Sequence, residues 1–108
     1  MFLLSNINSN ESQIDEPTPK NVAEHVQKLD YDDFLILTRE VDGEYYIQTM
    51  KDEHAGFVLE FREGSADSHY SLSDDFVEQS QVKDAFDAYL NDHFEDWKAA
   101  QNLEPVGF

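Results

Sequence analysis

The spacing of apolar residues changes several times along this chain, and each change marks an element. Between Pro19 and Leu29, Val22, Val26 and Leu29 recur at helical spacing with Ala23 beside them, which is the stripe of an amphipathic helix. Thr18-Pro19 reads as its start, with Thr as the cap and Pro in the first turn, where a missing N–H costs nothing. After Asp30, Asp32 and Asp33 the period becomes that of strands. FLILTREV (34–41) and EYYIQTM (44–50) are rich in β-branched and aromatic residues and flank Asp42-Gly43, a hairpin signal because a type I′ turn needs positive φ at both central residues. That turn predicts Val41 opposite Glu44, Arg39 opposite Tyr46, Leu37 opposite Gln48 and Ile36 opposite Thr49.

KDEHAG (51–56) makes the next turn, and a second hairpin follows around Gly64-Ser65-Ala66-Asp67. Phe57, Leu59 and Phe61 alternate there with Val58, Glu60 and Arg62, and Tyr70 and Leu72 alternate with His69 and Ser71. The apolar set is the floor on which helices pack, since alternate residues of a strand share a face. Leu35 and Leu37 are as apolar as Phe34 and Ile36, which suits central strands or an outer face covered by the N-terminal segment or a partner. Ser80 reads as the cap of a second helix lined by Val82, Phe86, Tyr89 and Leu90. Asn91-Asp92 breaks it, Phe94 and Trp97 anchor a further turn on the sheet, and LEPVGF is extended. Residues 1–17 read as a short edge strand, MFLLSNI, and a polar loop.

The expected architecture is α+β and two-layered over a single domain, 1–108. It has an antiparallel meander of four or five strands, an N-terminal helix at about 19–29 and C-terminal helical segments at about 80–99. The fourth strand, ending the meander at 69–72, offers an edge open to a second copy. A monomer or weak homodimer is expected.

Composition adds a partner class. The 108 residues carry 24 Asp and Glu against 7 Lys and Arg, a formal net charge of -17. Eight Phe and five Tyr supply core-formers that a disordered acidic chain lacks. Such a surface repels nucleic acid and anionic membranes and draws basic proteins through a long-range field. Solubility alone also accounts for an acidic surface. Without cysteine the chain has no disulfide or thiolate metal site, which fits the cytoplasm. MFLL is too short for a signal peptide or membrane span.

Two clusters could carry function. The first is the outer sheet face, where Arg39, Tyr46, Gln48, Glu60, Arg62, His69 and Ser71 come within reach of one another. There His69 or Glu60 could serve as a general base with Arg62 as a clamp, or the group could be an ion-pair lattice on a wet face. The second is an acidic rim with aromatic anchors: Asp74, Asp75, Glu78, Asp84, Asp87, Asp92 and Glu95 with Trp97. It suits an interface for a basic partner, because aromatics carry binding energy and rim charges set the on-rate. It equally suits the solvated side of an ordinary amphipathic helix. His25, His54, His69 and His93 show no paired spacing, DYDD (30–33) lacks the glycine and distal glutamate of a calcium loop, and no glycine-rich phosphate loop or nucleophile elbow occurs. No metal, cofactor or catalytic residue is expected.

PTPKNVAEHVQKLD, YIQT (46–49), GFVLEFREGSADSHY (56–70), VKDAFDAYL (82–90) and Trp97 stand in an order that resembles small bacterial immunity proteins of polymorphic toxin systems. The resemblance covers roughly residues 17 to 98 and rests on strand and helix patterning. It implies a non-enzymatic, cytoplasmic inhibitor of a toxin and assigns no toxin chemistry. Combined with the acidic charge, it gives a protein that binds and stoichiometrically inhibits a basic protein toxin, with a nuclease as one class because nucleases carry positive clefts for their substrate. A small-molecule-binding or enzymatic domain using Gln48, Glu60, Arg62 and His69 is the alternative, and a nucleic-acid mimic is another.

Overall fold

Thr18 and Asn21 cap each other: Thr18 Oγ1 accepts the Asn21 N–H at 3.2 Å, and Asn21 Oδ1 accepts the Thr18 N–H at 2.9 Å. Helix α1 accordingly runs Pro19–Gln27 and buries Val22 and Val26, ending two residues before the expected Leu29. The computed structural model describes residues 2–7, 12–30, 33–39, 45–52, 56–73 and 77–105. The strands are β1 (Leu3–Ile7), β2 (Ser12–Asp15), β3 (Phe34–Thr38), β4 (Tyr45–Lys51), β5 (Phe57–Glu63), β6 (His69–Leu72) and β7 (Leu103–Pro105). They form one antiparallel sheet in the order β2-β1-β3-β4-β5-β6-β7.

The class is α+β as expected, and the sheet is larger than the four or five strands predicted. The N-terminal segment is a hairpin whose first strand, β1, lies inside the sheet against β3, so it is not the edge. That neighbour explains the two-sided apolar character of β3. β7 pairs with β6, so the end of the meander is covered and is not an open edge.

The β3–β4 register also differs by one residue from expectation. Leu37 faces Ile47, Ile36 faces Gln48 and Leu35 faces Thr49. A one-residue slip turns a strand's side chains to the other face, and the predicted pairing would have set buried Leu37 against the half-buried outer residue Gln48. Arg39 donates its N–H to the Tyr45 carbonyl at 3.0 Å, in line with the observed register. The Asp42-Gly43 turn itself lies outside the described residues.

Helix α2 (Gln79–Leu90) starts from Glu78, not Ser80, because Gln81 Oε1 holds the Glu78 N–H at 2.8 Å. Its end is a Schellman turn in which His93 donates to the Ala88 carbonyl at 2.9 Å, with Asp92 in the left-handed conformation at φ 61°. This turn launches α3 (Phe94–Ala99). The described helices all pack on one side of the sheet, where Val22, Val82 and Phe86 meet Leu35, Leu37, Ile47, Leu59 and Phe61. Phe61 is the sheet's anchor for α3: its ring lies 5.0 Å from Phe94 and 6.2 Å from Trp97, edge-on to each.

Candidate functional site

Strand pairing places Gln48 opposite Glu60, Glu60 opposite Ser71, and Arg62 opposite Tyr46 and His69. These side chains share the face without helices. They form a chain of contacts. Arg62 Nε donates to His69 Nδ1 at 3.0 Å, His69 Nε2 meets Glu60 Oε1 at 3.0 Å, and Gln48 Nε2 donates to the same oxygen at 3.4 Å. Arg62 also lies 5.6 Å from the Tyr46 ring centroid. A guanidinium can only donate, so His69 Nδ1 accepts and Nε2 carries the proton given to Glu60. Both ring nitrogens are thus occupied. His69 is only 3% exposed, against the expected wet position, because its neighbours satisfy every polar atom of the ring and remove the cost of burial. A general base needs a lone pair within reach of its substrate, and His69 has given its own to Arg62.

Nor do the four share a hollow among the described residues. A hollow of about 50 Å³ between β3, β4 and β5 takes in Gln48 and Glu60 but leaves out Arg62 and His69. Small-molecule sites run to roughly 300–1,000 Å³. Next to this dent the face is apolar, with Phe34, Met50 and Val58, the last 37% exposed.

The acidic residues lie on the helical side, where α2 and α3 distribute them. Asp84 and Trp97 come together with Leu72, Gln81 and Gln101 around a hollow of about 190 Å³. Asp92 and Glu95 line a different one, of about 240 Å³, at the α2–α3 turn. Asp87 is committed to Lys83, whose Nζ donates to Oδ2 at 2.7 Å. Glu78 is exposed at the start of α2, and Asp74 and Asp75 lie outside the described residues. Glu95 accepts from Lys98 Nζ at 2.8 Å, and Lys98 also bonds Glu63 on β5. Phe94 and Trp97 stack at 5.1 Å between these acids.

No family model, curated protein or solved structure matches this chain. No helix among the described residues is long and apolar enough to cross a membrane.

The second hollow also contains Tyr89 and four residues from outside the acidic C-terminal stretch: Phe2, Arg39, Tyr45 and Glu63. Phe2 precedes β1, Arg39 follows β3, and Tyr45, Glu63 and Tyr89 come from β4, β5 and α2, so no spacing announces them. Tyr89 belongs to the core stripe of α2 and is also a wall of the hollow. Burial pushes its phenol well above the ordinary value of 10.0, with Arg39 opposing. Burial by itself would lower the Lys98 ammonium, but its hydrogen bonds to Glu63 and Glu95 outweigh this and hold it above the ordinary 10.5.

These two shifts have the same sign for stability. The folded chain keeps both protons at pH values where the unfolded chain loses them, so stability is full below the unfolded values and falls as pH rises through the folded ones. A urea midpoint lower at about pH 11 than at about pH 9 is the expected result, and Tyr89→Phe should retain more of its stability over that interval. Equal midpoints for the wild-type chain would exclude these groups as contributors.

Proposed function

We propose that this chain is a stoichiometric, immunity-type inhibitor that binds a basic protein toxin, with nucleases as the favoured class, in the cytoplasm. The observation that carries the reading is the exposure of Asp84, Asp92, Glu95 and Asp96 around half-buried Phe94 and Trp97 on a chain of net charge -17. Seven basic side chains cannot neutralise 24 carboxylates, so the surface field stays negative whichever local pairs form. A nuclease needs a positive cleft for its own substrate, and that cleft is complementary to this field. The commitment of both His69 ring nitrogens to Arg62 and Glu60 weighs against the enzymatic alternative on the outer face.

The test is co-purification from the native source at low salt, followed by titration of the recovered basic protein's catalytic activity. The expected result is complete loss of that activity at one equivalent, with affinity falling as salt rises from about 0.05 to about 0.5 M, since screening shortens the field. Inhibition by a small fraction of an equivalent would indicate a catalytic effect and sink the proposal. A complex indifferent to salt would remove its electrostatic basis.

A further inference from the structure

The geometry points to a receptor for one cationic side chain in the hollow at the α2–α3 turn. The walls are aromatic. Tyr89 meets Phe94 at 4.9 Å and Phe2 at 6.0 Å, both edge-on, and all three rings line the cavity. Its rim carries Glu63, Asp92 and Glu95. Aromatic walls with carboxylates at the mouth attract a cation twice, through ring quadrupoles and through charge.

Tyr89 also brings a polar group to the wall of the hollow. The residue is 8% exposed, and its hydroxyl has no hydrogen-bond partner among the described residues. That end of the ring feels the charges of Arg39 and Glu63, which line the same hollow. The hydroxyl end opens into the hollow, where a ligand's N–H groups can bond its oxygen.

Charge selects the ligand. Glu63 and Glu95 share Lys98, and Arg39, which also lines the hollow, lies 5.6 Å from the Tyr45 ring centroid. Asp92 has no ion-pair or hydrogen-bond partner for its carboxylate among the described residues. Three carboxylates against two cations leave one negative charge, which a single cation neutralises. An anion would meet that excess, and an apolar group would gain nothing from it.

Size narrows the choice further. At about 240 Å³ the space is below the range of drug-sized pockets and suits the end of one long side chain. Arginine fits better than lysine, because a planar guanidinium can lie against rings while donating to both Asp92 and Tyr89. The donor is an arginine of the basic partner. That assignment rests on the immunity-type reading, whereas the cation receptor itself does not.

The test uses the intact chain and three small compounds, N-acetyl-arginine amide, N-acetyl-lysine amide and neutral N-acetyl-citrulline amide, followed by NMR of the aromatic rings. The arginine compound should shift Tyr89 and Phe94 resonances saturably, with a Kd of roughly millimolar order for so small a ligand. Citrulline should leave them in place. Asp92→Asn keeps a residue that tolerates the left-handed turn and should weaken binding at least about threefold, and Tyr89→Phe should weaken it also. Stronger shifts with lysine would keep the cation receptor and overturn the arginine preference. Citrulline shifts equal to those of arginine, or arginine shifts spread over acids remote from the hollow, would overturn the site.

The two proposals fail separately. If the arginine compound binds and no toxin is inhibited, the receptor stands and the immunity reading falls. If a toxin is inhibited equally by wild type and by Asp92→Asn and Tyr89→Phe variants, the docking assignment falls and the inhibitor stands.

Discussion

Phe61→Ala should lower the unfolding free energy by about 3–5 kcal/mol, the cost of removing a buried ring and leaving a cavity. Domains of this size are stable by only about 5–15 kcal/mol, so the variant should be close to unfolding at room temperature. Phe61 is 1% exposed and touches Tyr70 at 5.7 Å as well as Phe94 and Trp97. Lys98 Nζ, which ties Glu63 to Glu95, lies 5.9 Å from the same ring. Helix α3 has six residues and none of them is fully buried. So short a helix has no stability of its own and depends on what it rests upon. The variant should therefore lose the near-ultraviolet signal of Trp97 at lower urea than the wild type, along with a reduced global midpoint. An unchanged midpoint would mean that Phe61 does not anchor the helical layer.

The second large effect concerns association. Replacing Asp84 with Lys, Asp92 with Asn and Asp96 with Lys together should slow binding of the basic partner by roughly tenfold or more at low ionic strength, with a smaller change in dissociation. These three are chosen from the geometry. Asp87 and Glu95 are bonded to Lys83 and Lys98, so reversing them would break local pairs and confuse stability with steering. Asn at position 92 keeps the left-handed turn that ends α2. At about 0.5 M salt the Debye length is only a few ångströms, and the difference from wild type should nearly vanish. Stopped-flow rates that match wild type at low salt would move the docking surface off this side of the molecule.

How much of this was legible in the sequence depended on the kind of contact. The α1 stripe, the alternation of Phe57, Leu59 and Phe61, and the break at Asn91-Asp92 are local signals, and each corresponds to an observed feature. The β3–β4 register was misread because Phe34 to Leu37 are apolar on both faces, so alternation could not fix which face was inner. β2 and β7 are short and pair through strands whose identity no local pattern reveals. Burial of His69 depends on Arg62 and Glu60 reaching it across the sheet, which residue type alone argues against. The hollow at the α2–α3 turn was invisible for the same reason: Phe2, Arg39 and Glu63 meet Tyr89 only after the sheet has formed. The acidic residues are plain in the sequence, whereas the separation of Asp84 from Asp92 and Glu95 into two hollows is not, because it depends on the turn at Asp92.

The strand order also sets how the chain can assemble. Neighbours from β3 through β6 are joined by short connections, whereas β1 reaches β3 only across α1, and β6 reaches β7 only across α2 and α3. Pairings between residues close in sequence close cheap loops and form early, and distant ones wait. The central meander is thus the natural nucleus, and each outer pairing can form only as the helix inserted before it docks. Helix docking and sheet extension become one kinetic event on each side, so the molecule should refold in few steps, with the helical layer and the outer strands appearing together.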